Sequence, residues 1–88
     1  MKLTKEARAG TLESGDVLVI VGPSESLDIR VESPVIRQFG ESIRQSVRDV
    51  AASLGVTGGA ISLEDQGALD CTIRARLTTA IKRSLADE

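Results

Sequence analysis

One serine, Ser14, stands where its hydroxyl is open to a second molecule. Glu13 precedes it, and a Gly-Asp pair follows just ahead of an apolar run. These neighbours are typical of a turn that leads into a strand, so the serine has little steric cover. The chain has no histidine, and no lysine lies between Lys5 and Lys82 to activate the hydroxyl. An unassisted serine is a weak nucleophile, which favours a passive attachment point over a catalytic residue. The same residues also suit a plain turn with an unmodified serine.

Cys71 is the only cysteine of the chain. A single cysteine excludes an intramolecular disulfide and a thiol-rich metal site. Free cysteine is usually a small core residue, whereas a reactive one needs a base or a positive neighbour. Asp70 beside it suits a helix start, and Arg74 lies one helical turn further on. We therefore predict that Cys71 is structural and buried, and we predict no metal site.

The amino-acid composition argues against several classes of function. The 88 residues carry a net charge of −2 and contain one Phe but no Trp, Tyr or His. We do not expect the protein to bind nucleic acid, because it has no net positive charge to attract phosphates and only one aromatic side chain on which a base could stack. The absence of histidine removes the commonest general base. No apolar run approaches membrane-spanning length, and the first residues lack the apolar region of a signal peptide, so we expect a cytoplasmic protein.

Two predicted strands follow the serine segment. The run 16–21 is β-branched, apolar and bounded by glycine, which is typical of a strand. Apolar and charged residues alternate over 27–32, with Leu27, Ile29 and Val31 as the apolar ones. This pattern predicts a second strand with one solvent-exposed face. Turn residues between the two predict a hairpin. The first strand should be central, and the three alternating apolar residues should face the helices.

A helix should follow these strands. Ser33 suits the N-cap and Pro34 the first helical position, and Gly55 suits a left-handed C-terminal cap. Apolar residues recur between them at spacings of three or four, so they should form one buried stripe. Its members are Val35, Phe39, Ile43, Val47, Val50 and Leu54. Gly40 interrupts this helix, which a close packing neighbour would explain.

The last third of the chain predicts a third strand and a second helix. Ile61 and Leu63 lie on one side of the strand candidate 56–64. Apolar residues from Leu69 to Leu85 fit both periods, but acidic residues at the start and basic ones at the end favour a helix. The predicted fold is α+β, a small two-layer sandwich in β-β-α-β-α order, with one sheet face covered by two helices.

The order of elements also predicts how the chain divides. The predicted strands before and after the first helix would form a crossover connection with it if these two strands are parallel. Residues 1–9 are polar and are predicted to be a flexible N-terminal leader. Residues 10–88 are predicted to form a single domain.

Two separated blocks resemble one known family. Residues 9–16, Ala-Gly-Thr-Leu-Glu-Ser-Gly-Asp, resemble the attachment segment of the acyl carrier (gamma) chain of citrate lyase. Residues 67–71, Gly-Ala-Leu-Asp-Cys, followed by Arg-Ala-Arg-Leu at 74–77, resemble its C-terminal signature. Gln-Phe-Gly at 38–40 also resembles the family, and the likeness covers about residues 9–83. The delta chain of malonate decarboxylase is similar in role, but its pattern fits less well.

The resemblance implies a non-catalytic carrier subunit, so that residues 10–88 would be an acyl-carrier domain. Ser14 would hold a 2'-(5''-phosphoribosyl)-3'-dephospho-CoA arm through a phosphodiester, added by a dedicated prosthetic-group transferase. The thiol of the arm would carry acetyl and citryl groups between the alpha (acyl transferase) and beta (lyase) subunits of citrate lyase. The working thiol would thus belong to the cofactor and not to Cys71.

Three arginines form a stripe on the predicted first helix. Arg37, Arg44 and Arg48 are spaced by seven and four residues, so they share one helix face. Such a stripe is usually a solvated face. It also suits a docking surface for the partner subunits, since complementary charge speeds encounter and fixes register. The alternative to a carrier is a small regulatory or protein-interaction domain, with Ser14 unmodified and this helix as its docking face.

Overall fold

The computed structural model describes residues 1–86, and this part of the chain forms four strands and two helices. The elements in chain order are β1 (Ala7–Gly10), β2 (Val17–Gly22), β3 (Leu27–Glu32), α1 (Ile36–Ser53), β4 (Gly59–Asp65) and α2 (Asp70–Leu85). The strands form one sheet in the order β1-β2-β4-β3. The helices pack against one face of the sheet, so the predicted two-layer α+β sandwich is confirmed. The last two residues of the predicted domain 10–88 lie outside the described residues.

β4 occupies the middle of the sheet between β2 and β3. It pairs antiparallel with β2, with Val17 opposite Asp65, and parallel with β3. The two strands on either side of the first helix are thus parallel, which is the condition for the crossover considered from the sequence, whereas the predicted hairpin between β2 and β3 is wrong. In this central position the large apolar side chains of β4, Ile61 and Leu63, are buried. β4 reaches the position only by pairing with strands that are distant in the sequence. As predicted, β2 is an interior strand, and alternate side chains of β3 pack on the core.

The predicted flexible leader over residues 1–9 needs correction. Ala7–Gly10 is the edge strand β1, which pairs antiparallel with β2. Leu3 is only 3% exposed and belongs to the core. The Ser84 hydroxyl, which is fully buried in α2, donates to the Lys5 carbonyl at 2.6 Å. Pairing with β2 and docking on α2 satisfy the backbone of this segment, although its own residues have little strand preference.

The buried stripe of α1 differs from the predicted stripe most clearly at Phe39. Ile43 and Val47 are core residues, as predicted, but Phe39 is 53% exposed. Gly40 is buried in its place, four residues after Ile36 and three before Ile43. A Cβ at Gly40 would lie 2.8 Å from the Ile36 Cδ1 atom, so the glycine makes room for the Ile36 side chain. The close packing neighbour expected for this glycine is thus present.

The ends of α1 agree with the prediction at the C-terminus and differ at the N-terminus. Gly55 has a φ of +72°, and the Val56 N–H donates to the Ala51 carbonyl at 2.8 Å, which is a Schellman cap. At the start, a turn follows Ser33, and the helix begins at Ile36. The Ser33 hydroxyl donates to Asp65 Oδ2 at 2.7 Å and so joins this turn to the end of β4.

The second helix was predicted correctly and runs from Asp70 to Leu85. Its aspartate lies at the positive end of the helix dipole, and Lys82 and Arg83 lie in the last turn. Neither helix within residues 1–86 has both the length and the apolar character needed to span a membrane.

Candidate functional site

Ser14 lies at the tip of the loop that joins β1 to β2, and we call residues 11–16 the serine loop. The Asp16 N–H donates to the Glu13 carbonyl at 3.0 Å, which closes a turn with Ser14 and Gly15 at its centre. Gly15 has a φ of +82°, a conformation that favours glycine. Within residues 1–86, no atom other than those of Gly15 and its two chain neighbours lies within 4 Å of where its Cβ would be. Ser14 itself is exposed. Its hydroxyl can therefore be approached by a bulky second molecule.

Hydrogen bonds within the serine loop fix its shape. The Thr11 hydroxyl donates to Asp16 Oδ2 at 2.8 Å and accepts from the Glu13 N–H at 3.2 Å. Asp16 Oδ1 accepts from the Val17 N–H at 2.8 Å. At the other stem of the loop a Cβ on Gly10 would lie 1.8 Å from the Val17 carbonyl oxygen. Only glycine allows the two stems to approach this closely.

Asp16 also connects the loop to α2. The Arg76 guanidinium donates to both of its carboxylate oxygens, at 3.1 and 3.0 Å. The Thr11 hydroxyl, the Val17 N–H and Arg76 together lower the pKa of Asp16 from 3.8 to about 2. The carboxylate thus remains charged at any physiological pH and holds the loop against the helix.

A second set of bonds joins the serine loop to the segment between β4 and α2. The Gly15 N–H donates to the Gln66 carbonyl at 2.7 Å, and the Gln66 N–H donates to the Asp16 carbonyl at 2.9 Å. The Ala68 N–H in turn donates to Asp65 Oδ1 at 2.9 Å. The attachment candidate is therefore held in a defined position on two sides.

An apolar groove lies at the same end of the sheet, between the first turns of α1 and α2. It has a volume of about 370 Å³ and is bordered by Phe39 and Leu69. Leu69 is 71% exposed and Phe39 53% exposed, which is unusual for such large apolar side chains. Val35, Ile43, Ala68 and Ile73 complete its apolar lining. We call this feature the Phe39–Leu69 groove.

Polar side chains hold the two helices together beside this groove. The Ser46 hydroxyl donates to Asp70, and Arg74 donates to Asp70 Oδ2 at 2.8 Å and to Asp49 Oδ2 at 3.3 Å. The Ser46 hydroxyl and, after it, Arg74 lower the pKa of Asp70. Arg74 thus bridges α1 and α2 and keeps the groove walls at a fixed separation.

The other predicted site residues lie apart from the serine loop. Arg37 is exposed on α1, and Arg44 and Arg48 are half-buried. Arg48 pairs with Glu41, whereas within residues 1–86 neither of the other two has a carboxylate oxygen within 4 Å. Sequence reasoning missed the two residues that hold the serine loop, Arg76 and Gln66. The aspartate two residues after the serine suggests that a basic side chain pairs with it, but the sequence does not indicate which basic residue that is.

Cys71 is exposed, so its predicted burial is wrong. It lies in the first turn of α2, two residues before the buried Ile73. Two residues correspond to more than half a turn of helix, so Cys71 faces away from the core.

The chain is similar to known acyl carrier proteins over nearly its whole length. An acyl carrier family described as the malonate decarboxylase delta subunit matches residues 4–84. A protein of Albidiferax ferrireducens named citrate lyase acyl carrier protein is 56% identical over 99% of this chain and 91% of its own length. Proteins of the same name from Haemophilus influenzae and Enterobacter sp. are 55% and 47% identical over 96% and 100% of this chain, and 88% and 92% of their own lengths.

One solved structure shares the fold. It is a chain of a Pseudomonas malonate decarboxylase hetero-tetramer in complex with malonate, with a TM-score of 0.82 over 94% of this chain and 87% of that chain. At 21% identity this likeness concerns the fold alone. Fold and sequence together define the class as an acyl carrier. More particularly, the chain belongs to the family of citrate lyase acyl carrier proteins, as its sequence blocks predicted.

Proposed function

We propose that Ser14 is the attachment point of a 2'-(5''-phosphoribosyl)-3'-dephospho-CoA arm, bound through a phosphodiester. The observation that carries the proposal is the exposed Ser14 hydroxyl at the tip of a loop that is otherwise fixed. Arg76 holds this loop through Asp16, and Gln66 holds it through Gly15. A transferase that adds a bulky group needs such a hydroxyl, open in space yet constant in position.

The chain fits this arm as a carrier and not as a catalyst. When bound, the arm supplies a thiol on which acetyl and citryl groups are carried. The residues around Ser14 supply position only, because Asp16 is fully engaged by Thr11, Val17 and Arg76. The partners in this proposal are the alpha (acyl transferase) and beta (lyase) subunits of citrate lyase and the prosthetic-group transferase. The exposed, unpaired Cys71 suits the reducing cytoplasm.

The partner subunits would dock on α1 through its basic residues. Arg37 and Arg44 are the stronger candidates, since their charges are not neutralised by a carboxylate within residues 1–86. Arg48 contributes less, because Glu41 already pairs with it. Complementary charge would mainly raise the association rate, which suits a carrier that visits several enzymes in turn.

The alternative is a regulatory or protein-interaction domain with an unmodified serine. The large exposed side chains of Phe39 and Leu69 favour it, since exposed apolar patches mark interaction surfaces. The two proposals differ in whether Ser14 gains mass when the transferase is present.

Acyl transfer in a reconstituted complex tests the carrier proposal. The chain would be loaded by the transferase and combined with the alpha and beta subunits. Ser14→Ala should abolish transfer, because no arm is attached. Ser26→Ala, which removes another exposed loop hydroxyl, should leave it unchanged. Transfer that persists in Ser14→Ala would contradict the proposal.

A further inference from the structure

The only aromatic ring of this chain is exposed. Phe39 is the single aromatic residue among 88, and 53% of its surface is accessible. Burial of a phenylalanine side chain stabilises a small domain substantially, so its exposure in a chain with no other ring needs a reason. The ring borders the Phe39–Leu69 groove, with Leu69 on the opposite side. This end of the molecule therefore offers one flat apolar surface beside an open space.

The groove adjoins the serine loop. Gly67 lines the groove and directly follows Gln66. Gln66 makes backbone hydrogen bonds to Gly15 and Asp16, at 2.7 and 2.9 Å. A group attached to Ser14 thus begins next to the wall of the groove. Its local concentration there would be far higher than that of a free ligand.

The polar groups at the groove favour a neutral occupant with a flat ring. Two carboxylates, Asp65 and Asp70, lie at its edge. Ser33 and the Ala68 N–H bind Asp65, and Ser46 and Arg74 bind Asp70. These negative groups would repel phosphates but not an uncharged base. Within the proposed arm, adenine is the flat and neutral part, and its nucleoside is joined directly to the phosphoribosyl group on the serine.

We propose that the Phe39–Leu69 groove binds the adenine base of the arm, with the base stacked on the Phe39 ring. This inference rests on attachment at Ser14. Stacking of a base on an aromatic side chain is favourable for every base, because each has a π-face. It would fix the part of the arm near the serine and leave the distal thiol free to reach the partner subunits. The exposed phenylalanine then has a function that outweighs its lost burial.

Proton NMR of the loaded carrier in D₂O provides a direct test. The chain has one Phe and no Tyr, Trp or His, so its aromatic carbon-bound protons belong to Phe39 alone. Once the backbone amide protons have been fully exchanged for deuterium, all other signals in that region would come from adenine H2 and H8. We expect these two signals to move upfield from their positions in free dephospho-CoA and to show Overhauser contacts with the Phe39 ring. The stacked form should exceed the unstacked form by about fivefold or more.

Two variants serve as test and control. Phe39→Leu keeps an apolar side chain but removes the ring, and it should return the adenine signals to their free positions. Gln38→Ala changes the exposed residue beside Phe39 on α1, which does not line the groove, and it should retain the upfield shift. Intact mass confirms loading in every sample. A loaded wild type with free adenine positions, or a shift that survives Phe39→Leu, would overturn this inference. A wild type that gains no mass would instead overturn attachment at Ser14.

Discussion

Arg76 on α2 binds both carboxylate oxygens of Asp16, a residue sixty positions earlier in the chain. This pair joins the loop that presents Ser14 to the helix layer. A bidentate guanidinium–carboxylate contact fixes orientation as well as distance. The turn that carries Ser14 is therefore held in a fixed position relative to α2, although it lies on the protein surface.

The Asp16 carboxylate should make stability depend on pH in the acid range. Its pKa is lowered from 3.8 to about 2 in the folded chain, so folding favours the ionised form. The corresponding stabilisation is complete above about pH 4 and is lost as the pH falls toward 2. Thermal melts between pH 2 and 5 measure it. Asp16→Asn should flatten the dependence, and an unchanged profile in that variant would contradict the assignment.

The two members of this pair should also be coupled. Asp16→Asn and Arg76→Gln each remove the same bidentate contact, so their combined effect on unfolding should be smaller than the sum of the single effects. Urea denaturation of the four chains gives the coupling. Simple additivity would show that the contact does not form in solution.

Gly15 in the serine loop and Gly10 at the end of β1 should respond differently to substitution by alanine. Gly15→Ala imposes a positive φ on a side chain with open space around it, which costs about 1–2 kcal/mol. Gly10→Ala also places a Cβ 1.8 Å from the Val17 carbonyl oxygen and should cost clearly more. Urea denaturation measures both. Equal losses would mean that the two loop stems do not approach as described.

Phe39 and Ile43 should differ sharply in their contribution to stability. Phe39→Ala changes a side chain that is 53% exposed, so the free energy of unfolding should change by about 0.5 kcal/mol or less. Ile43→Ala removes a core side chain one helical turn later and should cost about 2–5 kcal/mol. Thermal or urea unfolding of the unloaded chain compares them. A large loss in Phe39→Ala would restore the phenylalanine to the core.

Ser84 tests whether the first residues dock on the folded domain. Its hydroxyl is fully buried and donates to the Lys5 carbonyl at 2.6 Å. Ser84→Ala leaves that carbonyl without its partner and should cost about 1–3 kcal/mol. Amide exchange at residues 3–9 should accelerate in the variant. A neutral substitution with exchange already fast in the wild type would favour a flexible leader instead.

The sequence was sufficient for the elements whose own residues determine them. The β-branched run of β2 and the spaced apolar residues of α2 each appear within one segment. β1 was missed because Ala-Arg-Ala-Gly has no strand preference and becomes a strand only by pairing with β2. The position of β4 between β2 and β3 depends on long-range pairing, which local patterns do not encode.

The residues of the candidate site likewise fall into those that the local sequence predicts and those that depend on long-range contacts. Ser14 and its open glycine were identified from neighbouring residues and from the family resemblance. The contacts of Asp16 with Arg76 and of Gly15 with Gln66 connect distant parts of the chain, so no local spacing indicated them. Phe39 was assigned to the core because it fits a spacing of four from Val35. Gly40, one residue later and about 100° further round the helix, is buried instead.

Localisation of the arm by mass spectrometry tests the central claim most directly. The chain, Ser14→Ala and the matched Ser26→Ala would each be treated with the prosthetic-group transferase and its donor, weighed intact and then fragmented. We predict one added phosphoribosyl-dephospho-CoA in the wild type and in Ser26→Ala, located on Ser14, and none in Ser14→Ala. A wild type without added mass, or an arm located on any other residue, would contradict the account.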